Sequence, residues 1–95
     1  MKILRQTSQF KRDLKRYSKQ PNKLKVLANL LTLLREEQPI PEKYKAHQLS
    51  GDYKGCMECH IEGDFLLIWI DETNDVIGLL RLGSHAELFG KGAKR

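Results

Sequence analysis

The segment from Phe65 to Ile70 is apolar at every position, and a turn sequence lies on each side of it. The turns are Glu-Gly-Asp at 62–64 and Glu-Thr-Asn at 72–74. Because successive side chains of a strand point to opposite faces, a strand that is apolar throughout must be covered on both faces. The segment therefore predicts the central strand of a sheet with other structure packed above and below it.

Four strands are predicted in all, at 2–6, 53–61, 65–71 and 76–82. Short turns separate the last three strands, which favours antiparallel hairpins. Residues 39–49 begin with Pro-Ile-Pro and are mostly polar. They are expected to form a loop with His47 near its end.

Two helices are predicted between the first strand and this loop. The first is capped by Thr7 or Ser8 and carries three apolar residues at helical spacing, Phe10, Leu14 and Tyr17. The second begins at Pro21, a residue suited to a first helical turn, and runs to about residue 37. Apolar residues cover most of its circumference, so we expect it to pack between the first helix and the sheet.

The order of these elements predicts one α+β domain over residues 1–95. Two N-terminal helices would pack on one face of a twisted, mostly antiparallel sheet, and a short helix would close the chain. No apolar run approaches the ~20 residues of a membrane span, and the N-terminus resembles no secretory signal. A cytoplasmic location without membrane contact is therefore expected.

Basic residues outnumber acidic ones by 17 to 12, which gives a net charge of +5. The excess is concentrated at the end of the chain, in Lys91, Lys94 and Arg95, and in the first helix, in Lys11, Arg12, Lys15, Arg16 and Lys19. A clustered basic surface indicates a polyanionic partner such as nucleic acid. An ordinary solvated helix face has the same composition, so charge alone leaves both interpretations open.

The two cysteines form a C-x-x-C spacing, at Cys56 and Cys59. Residues three apart in a strand point to opposite faces, so these sulfurs cannot share a metal or a disulfide. The sequence holds no second pair of this kind to complete a zinc site. Two ordinary strand cysteines are expected.

Strand alternation also sorts the other residues of the predicted sheet. Met57, Cys59 and Ile61 are expected to face the core, which places Cys56, Glu58 and His60 on the opposite face. On the last strand, Arg81 would share a face with Ile77 and Leu79. An arginine in that position either extends its charge to solvent or is placed to bind an anion.

Ser84 and Glu87 have the spacing of a capping box, which predicts a helix start with His85 in its first turn. A helix start offers free N–H groups to an anion, and Arg81 would add a fixed charge beside it. This junction between strand and helix is therefore a candidate phosphate site with a titratable group next to it.

The chain has three histidines, His47, His60 and His85, each at a loop or a strand edge. Any one alone would ordinarily be a surface residue. Together with Asp64 and Arg81 they could converge at one edge of the sheet and cleave RNA through its 2′-hydroxyl group. That chemistry needs a base, an acid and a cation for the phosphorane charge, without a metal. Metal binding is less favoured, because no H-x-x-x-H or similar short pair is present.

Three segments resemble those of YafQ-type toxins of the RelE/ParE superfamily, in the same order. KAHQLSGDYKG at 45–55 is similar to the K-x-H-x-L-x-G-x-[WY]-K-G segment. ECHIEGDFLLIW at 58–69 resembles [DE]-x-H-x-x-x-D-[WF]-x-L-I-[YW], and RLGSHAELFG at 81–90 resembles R-x-G-[ST]-H-x-x-L-F-G. Residues 23–34 are similar to the family's second helix, so the resemblance covers nearly the whole chain.

The resemblance implies a RelE-like fold and a ribosome-dependent endoribonuclease that cuts mRNA in the ribosomal A site, with no cofactor. Its active-site positions fall on His47, His60, Asp64, Arg81 and His85, with Phe89 contacting a nucleotide. Lys54 and the basic first helix would bind RNA. The implied partners are mRNA, the ribosome and a cognate RelB- or DinJ-like antitoxin, through which operator DNA would be bound. A ParE-like gyrase inhibitor and a non-catalytic RNA-binding module are the alternatives.

Overall fold

The apolar run that predicts a central strand forms the middle strand of a five-stranded mixed sheet. The computed structural model describes residues 1–90, so the basic residues at 91–95 lie outside the described part of the chain. The strands lie in the order β1-β5-β4-β3-β2. Their bounds are β1 Ile3–Gln6, β2 His47–Gln48, β3 Met57–Glu62, β4 Phe65–Asp71 and β5 Val76–Gly83. The predicted hairpins β3–β4 and β4–β5 are antiparallel, and β1 pairs with β5 in parallel.

Three α-helices complete the fold of residues 1–90: α1 Ser8–Arg16, α2 Pro21–Arg35 and α3 His85–Phe89. Thr7 caps α1 through its side-chain oxygen, which accepts from the N–H of Phe10, and Pro21 occupies the first turn of α2. Leu27, Leu30 and the fully buried Phe10 join one core cluster with Leu67 of β4. Both helices therefore pack on one face of the sheet, as predicted. No helix within residues 1–90 is long and apolar enough to cross a bilayer.

A smaller core covers the opposite face of the sheet. It consists of Leu66 and Ile68 from β4, Leu88 from α3, and Leu49 and Cys56 from the connection before β3. β4 is thus buried on both faces, which confirms the inference from its unbroken apolar run. This smaller core leaves part of its sheet face open, and the candidate site lies there.

The segment before β3 departs from the predicted strand at 53–61. Residues 51–53 form a short 3-10 helix, and the strand begins only at Met57. Gly51 and Gly55 adopt φ values of +70° and +90°, a left-handed backbone that breaks an extended strand. The predicted loop at 39–49 contains a second 3-10 helix and the short strand β2, which pairs with β3 and places His47 opposite Glu58.

The predicted face of Arg81 is wrong. Across β4 and β5, Ile68 pairs with Arg81 and the next residue, Trp69, pairs with Leu79, so the register shifts by one residue at this point. Such a bulge reverses the alternation of side chains. Arg81 therefore shares the sheet face of its Cα partner Ile68, which is the face opposite the helices. Ile77 and Leu79 belong to the helix-covered core.

The two cysteines are free and buried, on opposite faces of the sheet as predicted. Burial raises the pKa of the Cys59 thiol to about 12, and it also raises the pKa of Cys56. Neither thiol is therefore a ready nucleophile at neutral pH.

We expect iodoacetamide at pH 8 to leave both thiols of the native protein unmodified and to alkylate both in urea, because only unfolding exposes the thiolates. Intact-mass spectrometry before and after alkylation measures this. Rapid labelling of the native protein would show that β3 or the segment just before it opens readily.

Candidate active site

Four aromatic rings form a row across the open part of the sheet face. The ring centroids of His47 and His60 are 5.9 Å apart, those of His60 and His85 are 5.8 Å apart, and those of His85 and Phe89 are 6.1 Å apart. The row crosses from β2 to β3 and then to α3. The fold therefore brings all three histidines together, although 38 positions separate the first from the last.

Asp64 fixes the orientation of His85. Its Oδ1 atom accepts a 3.1 Å hydrogen bond from the His85 backbone N–H and also contacts Nδ1 of the same residue. Ser84 and Glu87 form the predicted capping box, and its hydrogen bonds to backbone N–H groups stabilise the helix start that positions the imidazole. A carboxylate at Nδ1 fixes the tautomer and leaves Nε2 to exchange a proton with a substrate.

The hydrogen bonds from His85 lower the pKa of Asp64, first through the imidazole and then through the backbone N–H. Burial lowers the pKa of His60, and the charges of His47, His85 and Lys45 lower it further. The row thus holds an ionised carboxylate at one end and a histidine that resists protonation in its middle.

Glu58 is a site residue that the sequence argument placed on the correct face but did not select. It is fully buried, and its Oε1 atom lies 3.2 Å from Nε2 of His47 and 3.7 Å from Nε2 of His60. His47 donates from Nδ1 to the carbonyl oxygen of Lys45 at 2.7 Å. The Glu58 carboxyl group therefore lies within reach of both imidazoles. The alternation Glu58-x-His60 on one strand was the signal that could have found it.

The same three residues have the donor set of a divalent-metal site. The ligand atoms of His47, Glu58 and His60 all lie within 4.8 Å of one another, and two imidazoles with one carboxylate suit several transition metals. A search for short spacings in the sequence overlooks this group. His47 reaches it through strand pairing rather than through proximity along the chain.

Arg81 is held by a carboxylate that the sequence argument also missed. Asp13 of α1 is fully buried and accepts from Arg81 Nε at 2.8 Å and from Arg81 Nη2 at 3.3 Å. It also accepts from the Leu82 N–H at 2.9 Å and from the Gln9 side chain at 3.1 Å. Asp13 therefore fixes the guanidinium by a side-on, charge-assisted pair.

Opposing effects act on the pKa of Asp13. Burial is the largest and raises it, but the hydrogen bonds from Arg81, Leu82 and Gln9 and the charge of Arg81 together hold it below its usual value. The Asp13 hydrogen bond raises the pKa of Arg81 in turn. The pair is thus fully ionised at neutral pH.

Tyr53 joins the aromatic row to Arg81. Its ring meets that of Phe89 edge to face, with centroids 5.4 Å apart, and its hydroxyl group interacts with Arg81. Phe89 is half-buried and so has part of its ring open to solvent. The sequence motif contained Tyr53, but nothing in its pattern assigned it this position.

The basic residues predicted to bind RNA lie mainly apart from this row. Four are on α1, which packs on the other face of the sheet: Lys11, Arg12, Lys15 and Arg16. Lys19 lies in the turn that follows α1. Arg16 nevertheless reaches the site segment through a 3.3 Å ion pair with Glu87. Lys54 is exposed directly after the 3-10 helix that carries Tyr53.

A family model described as the bacterial toxin of type II toxin–antitoxin system, YafQ, matches residues 2–90 of this chain. The mRNA interferase toxin YafQ of Escherichia coli K12 is 36% identical over 85 residues, which cover 88% of this chain and 91% of that protein.

Two solved structures are also similar across almost the whole chain. A crystal structure of the E. coli DinJ–YafQ complex has a chain that matches with a TM-score of 0.82 and 34% identity, covering 95% of this chain and 100% of that one. A metal-bound toxin from Helicobacter pylori matches with a TM-score of 0.84 and 39% identity, covering 94% and 100%.

Proposed function

This chain belongs to the YafQ family of bacterial toxins of type II toxin–antitoxin systems, and from that we propose that it is an endoribonuclease that cleaves mRNA in the ribosomal A site. Cleavage would proceed by attack of the ribose 2′-hydroxyl group on the adjacent phosphate, with acid–base catalysis by protein side chains. No cofactor would be required.

The observation that carries this proposal is the row of three histidines with Asp64 at one end and Arg81 on the same sheet face. Imidazoles supply both proton transfers near neutral pH, one removing the 2′-hydroxyl proton and another protonating the leaving oxygen. Arg81 would stabilise the charge of the phosphorane, because Asp13 holds its guanidinium group in place from the Nε side.

The surroundings of the row suit a single-stranded RNA substrate. Phe89 offers a ring at the end of the histidine row, and aromatic rings stack on unpaired bases. Lys54 and the basic face of α1 would contact phosphates of the message and of ribosomal RNA, which hold orientation without reading sequence. Action on translating ribosomes would place the protein in the cytoplasm.

The expected protein partner is an antitoxin. The relative from E. coli was crystallised with DinJ, and we propose that a comparable antitoxin neutralises this chain and carries it to operator DNA. A gyrase inhibitor or a non-catalytic RNA-binding module would have no need for the His85–Asp64 pair. The E. coli relatives are named as mRNA interferases.

Primer extension on mRNA with programmed ribosomes and purified protein tests the proposal. We expect a discrete cut within the A-site codon that requires ribosomes and persists in TPEN, a chelator that removes zinc and copper but leaves the Mg²⁺ on which ribosomes depend, because every proton transfer is assigned to a side chain. A ladder of cuts on naked RNA would contradict ribosome dependence, and an uncut message would contradict the nuclease itself.

The chelator arm is needed because His47, Glu58 and His60 fit a divalent cation. Such an ion would supply positive charge to the phosphate when bound. If TPEN abolishes cleavage and added zinc or copper restores it, the acid–base assignment is wrong, whereas inhibition by added metal would agree with histidines that must stay free.

A further inference from the structure

A cavity of about 430 Å³ opens beside His60, at the edge of the sheet away from Arg81. The 43–45 turn, α2 and β3 form its walls. Val26 and Ile61 contribute apolar surface, and Tyr44 contributes a half-buried ring. This volume lies in the range of small-ligand sites. His60 belongs to both the histidine row and the cavity wall, so the cavity adjoins the row around the edge of β3, where the helix-covered face of the sheet meets the open one.

The rim of the cavity is basic. Lys43 and Lys45 lie on it with one acidic residue, Glu62. The Lys43 ammonium group stands 5.1 Å from the centroid of the Tyr44 ring. Apolar and aromatic side chains next to lysines are the combination that holds a base and its phosphate.

The turn that forms this wall is held in place. Lys45 has φ +51°, a left-handed conformation that a lysine adopts only at a cost, and its N–H donates to the carbonyl oxygen of Glu42 at 2.9 Å. Its own carbonyl oxygen accepts from Nδ1 of His47. The cavity wall and the first histidine of the row are thus one fixed unit, and strain of this kind concentrates at functional sites.

We propose that this cavity binds the RNA nucleotide adjacent to the cleaved phosphodiester. The base lies against Tyr44, Val26 and Ile61, and its phosphate lies at Lys45. The inference rests on the proposed function, since it names a subsite of the same active site. It gives Tyr44 and Lys45 a binding role that the row of histidines does not provide.

The test uses the full chain and a 2′-O-methylated RNA trinucleotide, which lacks the attacking hydroxyl group and cannot be cut. We expect titration to shift the NMR signals of the Val26 and Ile61 methyl groups together with those of His60. Tyr44→Leu should raise the dissociation constant about 10-fold, as loss of a base-stacking ring does, and Tyr44→Phe should restore it. Lys45→Ala should weaken binding and flatten its dependence on salt.

Lys25→Ala is the matched control, because Lys25 is an exposed lysine of α2 outside the cavity lining. The Lys25→Ala variant should bind the trinucleotide with the same dissociation constant as the wild type. Shifts confined to His60 and His85, or equal binding by Tyr44→Leu, would overturn the inference. If the wild type cuts mRNA and either of these results appears, the subsite is wrong and the function stands. If the wild type never cuts mRNA but Tyr44→Leu still binds the trinucleotide more weakly, the cavity binds RNA and the proposed nuclease function is wrong.

Discussion

Replacement of His85 by alanine is expected to lower ribosome-dependent cleavage by about 10²–10⁴-fold, the usual contribution of a general acid or base. The substitution removes the ring that Asp64 orients and that lies between His60 and Phe89. Quantitative primer extension under single-turnover conditions measures the loss.

The fold should survive this change. α3 begins with the capping box of Ser84 and Glu87, which does not involve the imidazole, so the melting temperature of His85→Ala should match the wild type. Asp64→Asn is the companion variant: it keeps an oxygen that accepts from the His85 N–H but removes the carboxylate charge. It should lose less activity than His85→Ala. Full cleavage by His85→Ala would remove His85 from the mechanism.

Replacement of Asp13 by alanine is expected to lower the free energy of unfolding by about 3–5 kcal/mol, the range for breaking a buried ion pair from one side. Asp13 is fully buried and accepts hydrogen bonds from Arg81, Leu82 and Gln9, and these donors would lose their acceptor. Urea denaturation at pH 7 measures the change.

Asp71→Ala is the control for this prediction. Asp71 pairs with Lys2 at 3.2 Å with its own side chain 59% exposed, and such surface pairs contribute at most about 1 kcal/mol. Equal losses of stability in the two variants would contradict the role given to Asp13.

The contribution of Asp13 should also depend on pH, with a defined sign. Its pKa is lowered in the folded protein, so it stabilises the fold above the unfolded pKa of about 4 and loses that contribution as pH falls through the folded pKa. The stability difference between wild type and Asp13→Asn should therefore shrink in acid below about pH 4. A difference that grows on acidification would show that the carboxyl group is protonated in the native state.

Much of the fold follows from local patterns in the sequence. The unbroken apolar run of β4, the cap at Thr7, Pro21 in the first turn of α2 and the Ser84–Glu87 capping box are each decided by near neighbours along the chain. Short-range sterics and hydrogen bonds govern such features, so the sequence predicts them well. The predicted strand at 53–61 failed where two glycines with positive φ replaced a strand by a turn.

Some features of the site likewise follow from local sequence patterns, and others depend on contacts between distant segments. Three segments that resemble a known family indicated the histidines, Asp64, Arg81 and Phe89, and strand alternation placed His60 on the correct face. By contrast, the pairing of β2 with β3 brings Glu58 between His47 and His60, and the bulge in β5 turns Arg81 toward their face. The packing of α1 on β5 brings Asp13 to Arg81, 68 positions along the chain.

The sequence by itself therefore determined the order of the α-helices and of the four longer strands, the two-sided burial of β4 and the residue types of the site. The tertiary structure alone decided which carboxylate each cation and each histidine meets. The physical reason is that strand register and helix docking are set by the packing of the whole core. A shift of one residue in that packing moves a side chain to the other face of the sheet.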